Sequence, residues 1–179
     1  MTWLVTGGAG YIGAHVVRAL TSAGLPVVVL DDLSSGFADF VPEGVPLVRG
    51  SILDRPLLDA TLAEHGVTGV VHVAGYKYAG VSVQRPLHTY EQNVTGTAVL
   101  LAAMETAGVD RIVFSSSAAV YGTPHTDLVT EATATSPESP YGESKLIGEW
   151  LLRDQGVATG LQHVSLRYFN VVGSADQAV

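Results

Sequence analysis

The sequence predicts an α/β fold, a Rossmann-like doubly wound parallel sheet with helices on both faces. Short apolar runs, of which Trp3-Leu4-Val5-Thr6 is the first, alternate with stretches in which apolar residues recur at helical spacing. The runs are continuous rather than alternating, as is typical of parallel strands that are covered on both faces. A glycine-rich segment, 7–13, follows the first run, at the place where such folds turn from a strand into a helix.

The other predicted elements follow in a regular order. Ile12, Val16, Leu20 and Ala23 recur every three or four residues and predict the first helix. The stretch 122–139 is rich in Thr, Ser and Pro and predicts a long loop. Further strands are expected at 27–30, 47–48, 70–73, 111–114 and 164–168, and further helices near 54–65, 89–107 and 140–154.

Length and composition predict one folded domain over residues 1–179, because 47% of the residues are hydrophobic. The formal net charge is −8, from 9 Lys and Arg against 17 Asp and Glu, and no basic cluster occurs. A nucleic-acid partner is therefore not expected. No apolar run approaches the roughly 20 residues that a membrane span needs, and no signal peptide is recognisable before the first strand.

Cysteine is absent, which excludes disulfides and thiolate metal sites and fits a cytoplasmic protein. None of the six histidines has the spacing of metal ligands relative to another, so no metal site is expected. His72 lies in an apolar run and is expected to be a core histidine with satisfied hydrogen bonds.

The glycine-rich segment predicts a dinucleotide site. Glycine at positions 7, 8, 10 and 13 lets the backbone turn sharply and come close to a pyrophosphate, while the following helix aims its free N–H groups at that charge. Gly7, Gly10 and Gly13 are therefore candidate cofactor-binding residues. A plain tight turn is the alternative, but a strand before, a helix after and an acid at the end of the next strand favour the cofactor site.

That acid is Asp31, whose carboxylate is expected to accept hydrogen bonds from both hydroxyls of a ribose and to repel a 2′-phosphate. Asp32 adds a second negative charge, and residues 33–36 contain no Arg or Lys. These features favour NAD over NADP.

A candidate catalytic group lies downstream. Pro140 is expected at the first position of a helix that Ser139 caps, which places Tyr141 and Lys145 on one face at i, i+4. A free tyrosine has a pKa of about 10, and a nearby ammonium favours its phenolate. Ser117, at the end of the fifth strand, is expected to hydrogen-bond the same substrate oxygen. The tyrosine–lysine pair is common on exposed helices, and its order after the glycine loop and Ser117 favours catalysis.

Six motifs occur in order over essentially the whole chain, at 5–13, 74–77, 93–97, 114–122, 139–145 and 166–170. Together they resemble the extended short-chain dehydrogenase/reductase family, most closely its UDP-glucose 4-epimerase branch. The resemblance implies that Tyr141 removes the proton of the sugar 4-hydroxyl while the C4 hydride passes to NAD. The 4-keto sugar then turns over, and the hydride returns to its other face.

The resemblance also implies contacts for single residues. Asn170 would meet the UDP-sugar, together with Ser117 and Tyr141, and a homodimer would form through the helices near 89–107 and 140–154. The implied cofactor contacts are Tyr11 and Ile12 at the pyrophosphate, Ser51 and Ile52 at the adenine, Val73, Ala74, Gly75, Lys77 and Asn93 along the cofactor, and Phe169 near the nicotinamide.

Two departures from the family pattern stand out. Ser51 occupies the position at which the family usually has an aspartate, and a hydroxyl accepts from the adenine amino group more weakly than a carboxylate. The sequence given also stops at Val179, before the C-terminal substrate lobe of the family. Activity of this chain alone is therefore open at this point.

Several functions stay open beside a UDP-hexose 4-epimerase. A UDP-glucuronate epimerase or decarboxylase is compatible with the same motifs, and so is a non-catalytic NAD-binding module. A 4,6-dehydratase is disfavoured, because Ala118 and Ala119 follow Ser117 where that chemistry needs an acid pair.

Overall fold

Six parallel strands form one sheet in the order β3-β2-β1-β4-β5-β6 in the computed structural model, which describes residues 1–174. The last five residues of the predicted domain lie outside this range. The strands are β1 (Thr2–Thr6), β2 (Val27–Asp31), β3 (Leu47–Arg49), β4 (Val67–His72), β5 (Arg111–Ser115) and β6 (Gln162–Leu166). The predicted Rossmann-like sheet is confirmed.

Helices lie on both faces of the sheet and connect successive strands, except between β2 and β3. They are α1 (Tyr11–Ser22), α2 (Arg55–Glu64), α3 (Ala79–Ser82), α4 (Pro86–Tyr90), α5 (Gly96–Ala107) and α6 (Pro140–Thr159). A π turn, Glu91–Thr95, joins α4 to α5, and short 3-10 turns occur at Ala38–Phe40 and Ala118–Tyr121. The predicted loop 122–139 contains no helix or strand.

The central strands of the sheet are buried on both faces, as their continuous apolar sequences predict, whereas the edge strand β6 is mostly exposed. Leu4 and Val28 point into a larger core cluster with residues of α2, α5 and α6. Val5 and Val29, their neighbours in the chain, point the other way into a second cluster with Val17 of α1. Because side chains alternate along a strand, these two clusters lie on opposite faces of the sheet.

The strand order reverses beside β1, since the chain first moves outward to β2 and β3 and then crosses back to β4. Such a reversal opens a crevice at the carboxyl ends of the two central strands. Here the chain leaving β4 stays close to the end of β1, because Val73 and Ala74 both donate backbone hydrogen bonds to the carbonyl of Thr6 at 3.0 Å.

Several predicted boundaries are wrong. The strand expected at 164–168 runs from Gln162 to Leu166. Beyond it, the Arg167 side chain bonds Glu149 of α6, and the Tyr168 carbonyl accepts from the N–H of Ala118. The helix expected at 89–107 is interrupted by the π turn. Ser117 lies two residues beyond β5, where it caps the 3-10 turn.

Within residues 1–174, no helix is both long and apolar enough to cross a membrane. In the same part of the chain, no three His, Asp or Glu side chains lie together in a way that would hold a metal ion.

Candidate active site

The glycine loop after β1 is packed too closely for side chains. Gly7 has a φ of +71°, and a Cβ there would lie 2.6 Å from the backbone nitrogen of Ala74. A Cβ on Gly13 would overlap the carbonyl oxygen of Gly7 and lie 2.7 Å from the Cα of Gly8. The loop can thus approach a ligand with its bare backbone, as a pyrophosphate requires.

Helix α1 begins at Tyr11 directly after this loop. Its N-cap is Gly10, which has no side chain to accept from the first turn. The N–H groups of that turn and the positive end of the helix dipole therefore remain available to an anion. The glycine cradle and the uncapped helix fit the pyrophosphate of a dinucleotide.

Asp31 lies at the carboxyl end of β2 and is buried. One of its carboxylate oxygens accepts from the backbone N–H of Ala9 at 2.9 Å, and the other accepts from that of Leu33 at 2.8 Å. Because a carboxylate offers about four acceptor positions, Asp31 can still accept from a ribose while it fixes the loop. Asp32 is exposed and accepts from the N–H of Ser34 at 2.9 Å.

The residues expected near an adenine have mixed surroundings. The hydroxyl of Ser51 accepts from the N–H of Leu53 at 3.2 Å and is half-buried. Ile52 is 4% exposed, and its side chain packs into the larger core cluster beside Gly96. Only the backbone of Ile52 therefore remains for a ligand.

Helix α6 places the candidate base and lysine as the sequence predicts. It begins at Pro140, and the hydroxyl of Ser139 accepts from the N–H of Gly142 at 3.2 Å. Lys145 is 5% exposed, and its Nζ donates to the carbonyl of Ser115 at 2.9 Å. The same Nζ lies 5.8 Å from the centre of the Tyr141 ring.

Burial acts on both ionisable groups of this helix. It raises the pKa of Tyr141, and the hydrogen bond from Ser117 partly opposes that rise. It lowers the pKa of Lys145 to about 8. Lys145 therefore remains mostly protonated at neutral pH and keeps a positive charge beside the phenol. That charge stabilises the phenolate of Tyr141 relative to its neutral phenol.

Asn93 connects the crevice wall to helix α6. It lies in the π turn, and its Oδ1 accepts from the N–H of Tyr76 at 2.6 Å. Its Nδ2 donates to the carbonyl of Tyr76 at 3.0 Å and to the hydroxyl of Ser144 at 2.8 Å. Ser144 in turn donates to the carbonyl of Tyr141 at 2.7 Å. The segment after β4 is thereby fixed beside the candidate base.

His72 is a core histidine whose two ring nitrogens are both bonded, as predicted. Its Nδ1 lies 2.7 Å from the Thr6 hydroxyl, and its Nε2 lies 3.0 Å from that of Thr97. Since Thr97 donates its own proton to the carbonyl of Asn93 at 2.6 Å, His72 must donate from Nε2 and accept at Nδ1. Burial, with a smaller contribution from the charge of Lys145, lowers the pKa of His72 to about 3.

Other sequence-predicted residues lie on the segments that follow β4 and β6. Gly75 has a φ of +149°, and a Cβ there would lie 2.7 Å from the Oδ1 of Asn93. Lys77 is exposed, with its Nζ 5.6 Å from the centre of the Tyr78 ring. Phe169 and Asn170 follow β6 and are both exposed.

Sequence reasoning missed Glu149 and Arg167, which form a mostly buried ion pair at 2.7 Å behind Ser117. Glu149 is four residues after Lys145 on the same helix face, and that spacing was the available signal. Its partner lies 18 residues farther along the chain and could not be identified locally.

The chain matches the NAD dependent epimerase/dehydratase family over residues 3–178. A UDP-glucose 4-epimerase from Azospirillum brasilense is 51% identical over 171 residues, which are 96% of this chain and 49% of that protein. One from Bacillus subtilis is 43% identical and aligns with 97% of this chain and 54% of its own length. The chain therefore spans about half the length of these relatives.

Solved structures agree with this match. A UDP-glucose 4-epimerase crystal structure superposes with a TM-score of 0.96 at 40% identity, covering 98% of this chain and 53% of that one. The UDP-glucose 4-epimerase from Brucella ovis in complex with NAD gives a TM-score of 0.92 at 42% identity, over 94% of this chain and 52% of its own.

Proposed function

Because the chain belongs to the NAD dependent epimerase/dehydratase family, we propose that it binds NAD and serves the epimerisation of a UDP-hexose at C4. The observation that carries the proposal is that Tyr141 and Lys145 lie beside Ser117 and beside the segment after β4, against which the glycine cradle packs. The relatives named UDP-glucose 4-epimerase, and the Brucella ovis structure with NAD, support it.

NAD, when bound, supplies a hydride acceptor and later a hydride donor at C4 of the sugar, so no net oxidation results. The chain's own part in binding begins with Gly7, Gly10 and Gly13, whose bare backbone and uncapped helix would receive the pyrophosphate. Asp31 and Asp32 would accept from the adenosine ribose and repel a 2′-phosphate, which favours NAD over NADP.

The proton transfer is assigned to Tyr141. Its phenolate would accept the proton of the C4 hydroxyl as the hydride leaves, and would give it back after the 4-keto sugar has turned over. Lys145 would stabilise the phenolate with its charge, and Ser117 would hydrogen-bond the same sugar oxygen. Asn170 is proposed to contact the UDP-sugar.

The remaining proposed cofactor contacts surround the same crevice. Asn93 fixes the segment after β4, which supports a role for the residues of that segment at the cofactor edge. The proposed set is Tyr11, Ile12, Ser51, Ile52, Val73, Ala74, Gly75, Lys77, Asn93 and Phe169.

A titration with NADH and with NADPH, followed by nicotinamide fluorescence, tests the binding half of the proposal. We expect NADH to bind and NADPH to bind far more weakly. Turnover of UDP-galactose to UDP-glucose by the same preparation tests the catalytic half. Binding without turnover would favour a non-catalytic NAD-binding module, and failure to bind either dinucleotide would overturn the proposal.

A homodimer through the helices near 89–107 and 140–154, which include α5 and most of α6, is also proposed. Trp150 on α6 is 46% exposed, and Val157, seven residues later on the same helix face, is 87% exposed. Large exposed apolar side chains on one helix face are suited to a partner surface. Sedimentation equilibrium tests the proposal, and a monomer at micromolar concentration would contradict it.

A cytoplasmic location is proposed as well, supported by the absence of cysteine from the sequence. Cell fractionation with an antibody against the protein tests this location, and recovery outside the cytoplasmic fraction would contradict it.

A further inference from the structure

Helix α6 meets the end of β5 at three points, each one helical turn apart. Tyr141, Lys145 and Glu149 are spaced at i, i+4 and i+8 and so share one face of the helix. That face contacts residues 115–117: Tyr141 lies close enough to Ser117 for that hydroxyl to lower its pKa, Lys145 donates to the carbonyl of Ser115, and Glu149 accepts from the hydroxyl of Ser116. The first two contacts belong to the proposed catalytic group, and the third has no role in it.

The third contact is a charged hydrogen bond. The hydroxyl of Ser116, which is 2% exposed, donates to Oε1 of Glu149 at 2.5 Å. A hydroxyl bonded to a carboxylate is held more strongly than one bonded to a neutral acceptor. Ser116 is therefore fixed to the same helix that carries Tyr141.

Glu149 is itself immobilised by Arg167. The guanidinium donates from Nε to Oε1 at 2.9 Å and from Nη2 to Oε2 at 2.7 Å, so the two planar groups meet as a fork. A third guanidinium nitrogen, Nη1, donates to the hydroxyl of Tyr121 at 2.8 Å. The Glu149 and Arg167 side chains are only 11% and 22% exposed, so the pair is shielded from water.

The two chain neighbours of Ser117, Ser116 and Ala118, are both connected by hydrogen bonds to the segment after β6. On one side Ser116 is held through Glu149 by Arg167, and on the other side the N–H of Ala118 donates to the carbonyl of Tyr168 at 2.7 Å. Arg167 and Tyr168 are adjacent in the chain. The backbone on both sides of Ser117 is thus set by the two residues that follow β6.

We propose that Glu149 is a positioning residue, which together with Arg167 holds Ser116 and so keeps the Ser117 hydroxyl at Tyr141. This inference rests on the proposed function and adds to it a residue outside the proposed catalytic group. Glu149 is joined directly to the segment of Ser117 by the Ser116 hydroxyl, so removal of that hydroxyl breaks this connection and leaves the ion pair and the anchor at Ala118 in place.

The test is the Ser116→Ala variant, which deletes that hydroxyl and leaves the ion pair in place. Ser165→Ala is the matched control: this serine lies in β6 opposite Phe114, and its hydroxyl makes no hydrogen bond within residues 1–174. We expect Ser116→Ala to lower kcat for UDP-galactose about tenfold, because small displacements of a catalytic hydroxyl are costly. The dissociation constant for NADH should stay unchanged, and Ser165→Ala should match the wild type in both measurements.

The conservative variant Glu149→Gln keeps an oxygen that can accept from Ser116, so it should lose less activity than Glu149→Ala. If either Glu149 variant fails to fold, the Ser116→Ala variant still tests the proposal. An unchanged kcat in Ser116→Ala would overturn the proposal.

Crystal structures of the wild type and of Ser116→Ala give a readout that is independent of turnover. We expect the Ser117 hydroxyl to have moved away from Tyr141 in the variant, and an unmoved hydroxyl would overturn the proposal. If the wild type itself does not turn over UDP-galactose, the proposed function fails, and the two crystal structures still decide whether Glu149 positions Ser117.

Discussion

The side-chain nitrogen of Asn93 donates to the hydroxyl of Ser144 at 2.8 Å and so ties the π turn to the helix of the candidate base. Ser144 is fully buried and passes the connection to the carbonyl of Tyr141. The same Asn93 amide also bonds both the N–H and the carbonyl of Tyr76. Two walls of the crevice are therefore joined by one side chain, and the site is pre-organised by the protein itself.

Replacing Tyr141 by Phe should abolish most turnover and leave cofactor binding intact. The variant keeps the ring and its packing but removes the group that exchanges the proton, which is worth about 10³-fold in rate. Turnover of UDP-galactose and fluorescence of bound NADH measure the two effects. Tyr78→Phe is the control, because that hydroxyl makes no hydrogen bond within the described part of the chain. Wild-type turnover in Tyr141→Phe would refute the assignment of the base.

The Gly13→Ala variant should bind NADH about tenfold more weakly, a loss of about 1.4 kcal/mol. The new Cβ would overlap the Gly7 carbonyl, so the loop must move away from the end of helix α1. Gly80→Ala serves as the control, since a Cβ there meets nothing within 4 Å. Equal NADH affinity in the two variants would show that the loop does not hold the cofactor.

The Lys145→Met variant should be more stable than the wild type at pH 7. The pKa of Lys145 falls from 10.5 to about 8 because of burial, so below pH 8 the folded protein holds a buried charge at a cost of about 3 kcal/mol. The lost hydrogen bond to Ser115 offsets about 1 kcal/mol of this gain. Urea unfolding measures the difference in the free energy of unfolding.

The same difference should shrink as the pH rises. Between about pH 8 and pH 10.5 the unfolded chain keeps a proton on Lys145 that the folded protein has lost, so the wild type gains stability relative to Lys145→Met. Above this range the lysine is neutral in both states. A difference that stays constant from pH 7 to pH 10 would contradict the burial of a charged Lys145.

Acid should destabilise the protein through His72. The pKa of this histidine falls from 6.5 to about 3, so between those values the unfolded chain binds a proton that the folded protein excludes. The contribution of His72 to the free energy of unfolding is fully present above about pH 6.5, and below that pH it falls by about 1.4 kcal/mol per pH unit. Urea unfolding between pH 7 and pH 5 should show this slope in the wild type and a smaller one in His72→Gln. The exposed His125→Gln should keep the wild-type slope.

Local sequence signals predicted the strands, the glycine loop and the start of α6, because each depends on neighbouring residues. Ser139 and Pro140 specify a helix start within three residues, and the structure has that start. The ion pair between Glu149 and Arg167 was not predictable, because only the folded chain brings α6 and the end of β6 together. The π turn also escaped prediction, since the bonds of Asn93 rather than its helical propensity account for its place there.

The cradle residues and the residues that anchor Ser117 lie in different parts of the sequence, and this has a consequence for synthesis on the ribosome. The glycine cradle is assembled from β1, α1, β2 and the end of β4, so every part of it has been translated by about the first 75 residues. Ser117, in contrast, is anchored through Arg167 and Tyr168, which follow β6 and are translated much later. A nascent chain therefore contains every residue of its nucleotide cradle well before the residues that anchor its catalytic hydroxyl.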